Sequence, residues 1–237
     1  MKRIFFLIAI VITLFSCESD GQIPAVGYMQ KPMATTQEAG GDAFITEWEM
    51  TAGSFTLPTY PSSSYNYDCL IDWGDGTTSA VSSYNDPNLT HTYASAGTYQ
   101  IKISGTFESF FLSNNSAIDQ KLTAVIQWGD VGFTTAYQMF YGASNLSSLP
   151  DVAITGMDAV TNFSYAFRNC GSLTSIPAGL FDNTTAVTSF SYTFYYCGSL
   201  TSIPAGLFDN TTAVTSFYST FSYCGSLTSI PAGLFDN

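Results

Sequence analysis

Two periodicities divide the chain. From Ala43 the hydrophobic pattern has a period of two: Phe44, Thr46, Trp48 and Met50 alternate with Ile45, Glu47 and Glu49. Tyr65, Tyr67, Cys69, Ile71 and Trp73 alternate with Asn66, Asp68, Leu70 and Asp72, and Tyr99, Ile101, Ile103, Gly105 and Phe107 form a third run. Alternation gathers one set of side chains on one face of a strand, so three runs with turn residues between them predict an antiparallel sheet or sandwich. Asp72-Trp73-Gly74-Asp75-Gly76-Thr77 is a turn, rich in residues that accept positive φ or bond their own backbone.

The second half repeats itself. Residues 170–190 read CGSLTSIPAGLFDNTTAVTSF, residues 197–217 are identical, and residues 224–237 repeat the first fourteen, a period of 27. An older copy puts Ala143, Leu146, Leu149, Pro150, Ile154, Val160, Phe163 and Phe167 one period ahead of Cys170, Leu173, Ile176, Pro177, Phe181, Val187, Phe190 and Phe194. A more degenerate copy ends with Trp128, Phe133 and Phe140. Each unit offers Leu173 and Ile176 on a short extended segment, then turns at Pro177 and Gly179. Val187, Phe190 and Phe194 follow at i, i+3 and i+7, which predicts one face of a helix. Asp182, Asn183 or Thr184 would be its N-cap. No unit closes a core alone, so the expectation is a solenoid in which stacked neighbours bury Leu, Ile and Phe. Cysteines one period apart would form a column of buried thiols, since adjacent rungs suit neither disulfides nor zinc. The sequence stops fourteen residues into a repeat, and further chain is expected after Asn237.

The N-terminus carries an address. Met1-Lys2-Arg3 is basic, and residues 4–15 are apolar except Thr13. That run is too short to span a bilayer, which takes about twenty apolar residues, and has the proportions of a signal peptide. Leu14-Phe15-Ser16-Cys17 resembles the lipobox of bacterial lipoproteins, although Phe15 is larger than usual there. The resemblance implies cleavage after residue 16 and acylation of Cys17; the other readings are an uncleaved anchor or a core cysteine. Glu18 and Asp20 resemble an acidic signal for the outer face of the outer membrane. Residues 17–42 have no period and form a tether.

Composition narrows the partners. Removal of Lys2 and Arg3 takes the formal charge from −12 to −14. A polyanion is repelled by phosphate backbones and anionic headgroups, so nucleic acid is excluded and membrane contact is left to the N-terminal lipid. A single histidine, His91, makes a Ser-His-Asp triad or a histidine metal site hard to assemble, and no cofactor is expected.

Asp72-Trp73-Gly74-Asp75-Gly76-Thr77, then His91-Thr92-Tyr93, then Gly97-Thr98-Tyr99-Gln100-Ile101 resemble the signature of PKD-like domains. That resemblance implies a small all-β, immunoglobulin-like sandwich over residues 43–112, with the motifs shaping a loop and packing the core. The spacing C-x-x-L-x-x-I-P with the following A-V-T-S-F resembles BspA-type leucine-rich-repeat surface proteins, whose usual repeat is shorter than the 27 residues here. It implies a leucine-rich-repeat solenoid over residues 113–237 and association with surface adhesion.

The candidate sites follow. The near-identical copies differ in two six-residue windows, and Tyr192, Tyr195, Tyr196, Tyr218 and Tyr223 in them form a candidate interaction surface. Neutral drift after duplication is the competing reading. Asp72 and Asp75 either cap their turn or contribute to a calcium site, which needs six to eight oxygens. Asp182, Asp209 and Asp236 recur with the period, either as capping residues or as acids of a glycan hydrolase. The expectation is a non-enzymatic lipoprotein, an adhesin or binding module facing the cell exterior and presenting its repeats to a host protein, another bacterium or a glycan. The alternatives are a binding part of a larger polysaccharide-degrading enzyme and a purely structural spacer.

Overall fold

The alternating runs become strands. In a computed structural model that describes residues 43–236, β1 (Phe44–Met50) buries Phe44, Thr46, Trp48 and Met50 as the pattern requires. It is followed by β2 (Gly53–Thr56), β3 (Tyr67–Asp72), β4 (Thr78–Val81), a 3-10 turn at Pro87–Leu89, β5 (Thr90–Tyr93) and β6 (Gly97–Phe107). A four-residue helix α1 (Ser116–Asp119) and strand β7 (Leu122–Gln127) complete the regular elements, so the described residues are all-β with almost no helix. All of them fall within one compact unit. The signal peptide expected over residues 1–16, Cys17 and the tether to residue 42 lie outside the described residues. No helix among the described residues is long and apolar enough to cross a membrane.

Five strands form one sheet in the order β4-β3-β6-β1-β7, and β2 pairs with β5 in a second. Pairing is antiparallel throughout, with Phe44 opposite Ile103 and Met50 opposite Gly97 in the central pair. Phe55 on β2 packs edge-on against Trp48, 5.0 Å between ring centroids, and against Trp73, which closes the two sheets over one core. Gly74, at φ +79°, lets the turn approach β6 so closely that a Cβ would lie 2.6 Å from the Gln100 carbonyl.

β7 lies within the segment assigned to the repeats from sequence, and it joins the sheet beside β1. Its partner register shifts twice, so Ala124 and Val125 are buried side by side and the alternation disappears. The core continues past it without a break: Phe44 touches Phe133 at 5.2 Å, and Phe110 touches Phe140 at 5.8 Å.

The 27-residue units stack. Ser189 bridges in parallel to Asn162 on one side and to Ser216 on the other. Phenylalanines one period apart lie face to face, Phe140 on Phe167 on Phe194 on Phe221, at 5.2–5.4 Å. Phe163, Phe190 and Phe217 form a second file, and Phe181, Phe208 and Phe235 a third.

The helix expected over Val187, Phe190 and Phe194 is absent, and the hydrogen bonds show why. The amides of Phe190, Tyr192, Phe194 and Tyr196 donate across the stack to the carbonyls of Ser216, Tyr218, Thr220 and Ser222. The intervening amides of Thr193, Tyr195 and Cys197 donate back three residues to Phe190, Tyr192 and Phe194. Left-handed residues at Tyr192 (φ 59°) and Tyr196 (φ 60°) then reset the chain every four residues. A helix needs every amide for its own i−4 carbonyl; here every second amide belongs to the next unit. Phe190 and Phe194 therefore point inward from successive four-residue turns, a spacing that imitates a helical face.

Without a helix there is no N-cap for Asp182, Asn183 or Thr184. Thr184 instead donates its hydroxyl to the Phe181 carbonyl at 2.9 Å, and Asn183 donates its amide to the Ile154 carbonyl of the preceding unit at 3.1 Å.

Candidate functional site

The four-residue turns that replace the helix carry the tyrosines to one edge of the stack. Side chains at positions 192, 195 and 196 recur every 27 residues, so each belongs to a file running across the units. Tyr165 and Tyr192 stack at 4.9 Å with planes 11° apart, and Tyr196 stacks on Tyr223 at 4.6 Å and 5°. Tyr195, in a file of its own between these two, is edge-on to Tyr192, Tyr196 and Tyr223 at 4.9–5.4 Å. Tyr218 closes the group against Tyr192 at 5.2 Å. The five tyrosines singled out from sequence thus form one continuous surface. Tyr196, Tyr218 and Tyr223 are 50%, 64% and 63% exposed, while Tyr192 and Tyr195 are partly covered.

The surface extends toward the sheet. Tyr137 meets Tyr165 edge-on at 5.8 Å, and burial together with Tyr165, Tyr60 and Tyr141 pushes its hydroxyl pKa up. Tyr60 in turn packs on Tyr65 and Phe111 at 5.2 and 4.7 Å. A partly exposed aromatic surface of this extent is more than scattered apolar residues, which monomers tolerate singly.

Its centre is a residue that sequence reasoning passed over. Arg168 is one period after Tyr141 and one before Tyr195, so a guanidinium occupies a tyrosine file. Its Cζ lies 4.8 Å from the ring centroid of Tyr195, 5.2 Å from Tyr141, 5.4 Å from Tyr165 and 5.9 Å from Tyr192, all within cation–π range. Nε is buried without a hydrogen-bond partner. The signal was present: Arg168 is the single base after Lys121. For Tyr195, burial and the neighbouring Tyr223 and Tyr196 hydroxyls raise the phenol pKa, and Arg168 opposes them.

Asp72 and Asp75 are occupied by their turn. Asp72 accepts from the Gly74 amide at 2.9 Å, and Asp75 accepts from the amide and hydroxyl of Thr77 at 3.0 and 2.6 Å. The other Asp75 oxygen meets His91 Nε2 at 2.7 Å, and the imidazole stacks on Trp73 at 4.9 Å. Burial pushes the Asp75 carboxyl up, but hydrogen bonds from Thr77 and His91 outweigh it and hold the pKa below the usual value. Among the described residues no three His, Cys, Asp or Glu side chains converge as a metal cage.

Asp182, Asp209 and Asp236 are exposed, and their amides close turns onto Gly179, Gly206 and Gly233. Cys170, Cys197 and Cys224 are buried free thiols, each donating to the carbonyl thirty residues earlier, Phe140, Phe167 and Phe194, at 3.1–3.3 Å. Cys17 lies outside the described residues. No family model, no curated protein and no solved structure matches the chain.

Proposed function

We propose that the chain is a non-enzymatic binding module, a surface lipoprotein anchored to the outer membrane through Cys17, whose tyrosine band is its recognition face. In this reading the sheets form an immunoglobulin-like, PKD-like sandwich, and the stacked units form a leucine-rich-repeat-type solenoid related to BspA-type adhesins. The observation that carries it is the tyrosine band itself. Core phenylalanines are preserved in file after file, whereas the two varying windows place large amphipathic rings at the solvent edge. Tyrosine offers broad contact area at low conformational cost and a hydroxyl for polar contacts, which suits a binding face for a protein or a glycan.

The test uses the full chain with Cys17→Ala, which removes the acylation point, and the same protein carrying Tyr218→Ala and Tyr223→Ala. Both rings are largely exposed, so their loss leaves thermal stability nearly unchanged. Binding to intact cells and to a glycan array is expected to weaken strongly in the double variant. Equal binding by both proteins defeats the assignment of the band as the recognition face.

A further inference from the structure

Arg168 is an anomaly in charge, in partners and in position. The chain carries eighteen acids against six bases, yet Arg168 pairs with none of the acids: the ion pairs among the described residues are His91–Asp75 and Lys102–Asp72. A guanidinium has five N–H donors and no acceptor capacity. Among the described residues its Nε is buried beneath the rings without a hydrogen-bond partner. Leaving buried donors unpaired costs stability, and the neighbouring units show the cheaper solution, a tyrosine at the same place in the file. Four rings hold the guanidinium by its cation–π contacts, which fix its position while leaving its hydrogen-bonding edge uncommitted. The residue as a whole is only partly buried.

We propose that Arg168 and the surrounding Tyr141, Tyr165, Tyr192 and Tyr195 form a subsite for a carboxylate-bearing sugar, such as a uronate or sialate residue of a glycan. This rests on the tyrosine band being a recognition face and names the ligand chemistry at its centre. The guanidinium fork matches a planar carboxylate bidentately, which a tyrosine in the same file cannot do. The phenol hydroxyls around it donate to and accept from sugar hydroxyls, and the rings cover apolar ring faces. A densely charged polyanion is disfavoured by the protein's net charge of −12, whereas one carboxylate on an otherwise neutral oligosaccharide meets the single cation without that repulsion. Tyrosine-rich surfaces with one fixed cation favour a sugar over an acidic peptide, because the remaining contacts on offer are hydroxyls and rings rather than an unpaired strand edge or further bases.

The experiment titrates the full chain carrying Cys17→Ala with a xylo-oligosaccharide bearing a single glucuronate and with sialyllactose, each against its uncharged counterpart, by calorimetry. A poly-glutamate peptide is the third probe. The key variant is Arg168→Tyr, which restores the residue type of Tyr141 and Tyr195 and therefore keeps the file packed; Arg168→Lys keeps charge without the fork. At least one acidic sugar is expected to bind better than its neutral counterpart. Arg168→Tyr is expected to weaken that binding about ten- to hundred-fold with a melting temperature no lower than the parent's, and Arg168→Lys to fall between. Neutral and acidic sugars bound equally, with Arg168→Tyr indifferent, would overturn the carboxylate subsite and leave the tyrosine band standing as a binding face. No binding of either acidic sugar, or Arg168-dependent binding of the peptide alone, also overturns it. The Tyr218→Ala and Tyr223→Ala protein separates the two ideas, since it tests the band away from Arg168.

Discussion

Phe194 and Phe221 lie face to face, ring centroids 5.4 Å apart and planes 2° from parallel, in the file that Phe140 and Phe167 begin. Phe194 has a neighbour in the file on both sides and is fully buried, whereas Phe221 is only partly buried. Truncating a buried phenylalanine removes transfer energy and leaves a cavity, so Phe194→Ala is expected to cost about 3–5 kcal/mol. Phe221→Ala should cost clearly less. Urea titrations of the two variants check the order; an equal or reversed cost means that the stack does not transmit burial along the file.

The left-handed positions give a second prediction, of opposite sign. Ser219 holds φ at 54° in the file where Tyr165 and Tyr192 stand, but it has no ring to stack there. A non-glycine residue pays about 1–2 kcal/mol for left-handed backbone, while glycine loses more freedom on folding. Ser219→Gly is therefore expected to stabilise the protein by about 0.5–1 kcal/mol, and Ser219→Val to destabilise it by about 1–2 kcal/mol. Thermal melts of both variants decide it, and a glycine variant less stable than the parent would refute the argument.

The thiol column gives a third. Cys170 and Cys197 are fully buried, and burial pushes both thiols well above their ordinary pKa. Only the thiolate attacks an alkylating or disulfide reagent, so the native protein should leave both unmodified at pH 8 over hours. Cys224, 8% exposed and less strongly shifted, should react before them. Peptide mapping after timed alkylation reads the order directly. Rapid native labelling of Cys197 would show that neighbouring units separate far more readily than their hydrogen bonds to the Phe167 and Phe194 carbonyls imply.

The β1, β3 and β6 strands were legible because each has one buried face, and alternation at Phe44, Cys69 and Ile101 marks it. β7 was not, because its register against β1 shifts between Ile45 and Thr46 and again between Glu47 and Trp48, and Ala124 and Val125 are buried together. The period of 27 was legible, and with it the core positions Leu173, Ile176, Phe181, Val187, Phe190 and Phe194, yet the buried Leu180, Thr184 and Thr193 and the local backbone were not. A helix and a run of four-residue turns both bring Phe190 and Phe194 to one side, and only the partner of each amide separates them. The tyrosine surface was visible as variation between copies. Arg168 escaped since comparison of the identical copies never reached the older unit that contains it.

Asp119 supplies the last prediction. It stands at the end of α1, 1% exposed, with Oδ2 lacking any hydrogen-bond partner and Cys170 close enough to feel its charge. Burial pushes its carboxyl up from 3.8 to about 6, against the opposing pull of a backbone hydrogen bond from Asn115. A raised carboxyl pKa means that the folded protein holds the proton where the unfolded chain has lost it. The contribution of Asp119 to stability is therefore greatest below the unfolded value of 3.8, falls as pH rises toward about 6, and stays at its low level above. A shift of this size corresponds to roughly 2–3 kcal/mol between the two plateaus. Asp119→Asn keeps the shape and removes the charge, so it should raise stability at pH 7.5 by about 1–2 kcal/mol and flatten this part of the pH profile. Urea midpoints of parent and variant at pH 4, 5.5 and 7.5 test it. The two curves are expected to converge at pH 4 and to part at 7.5 with the variant above; a constant gap across the range would mean that Asp119 folds already ionised.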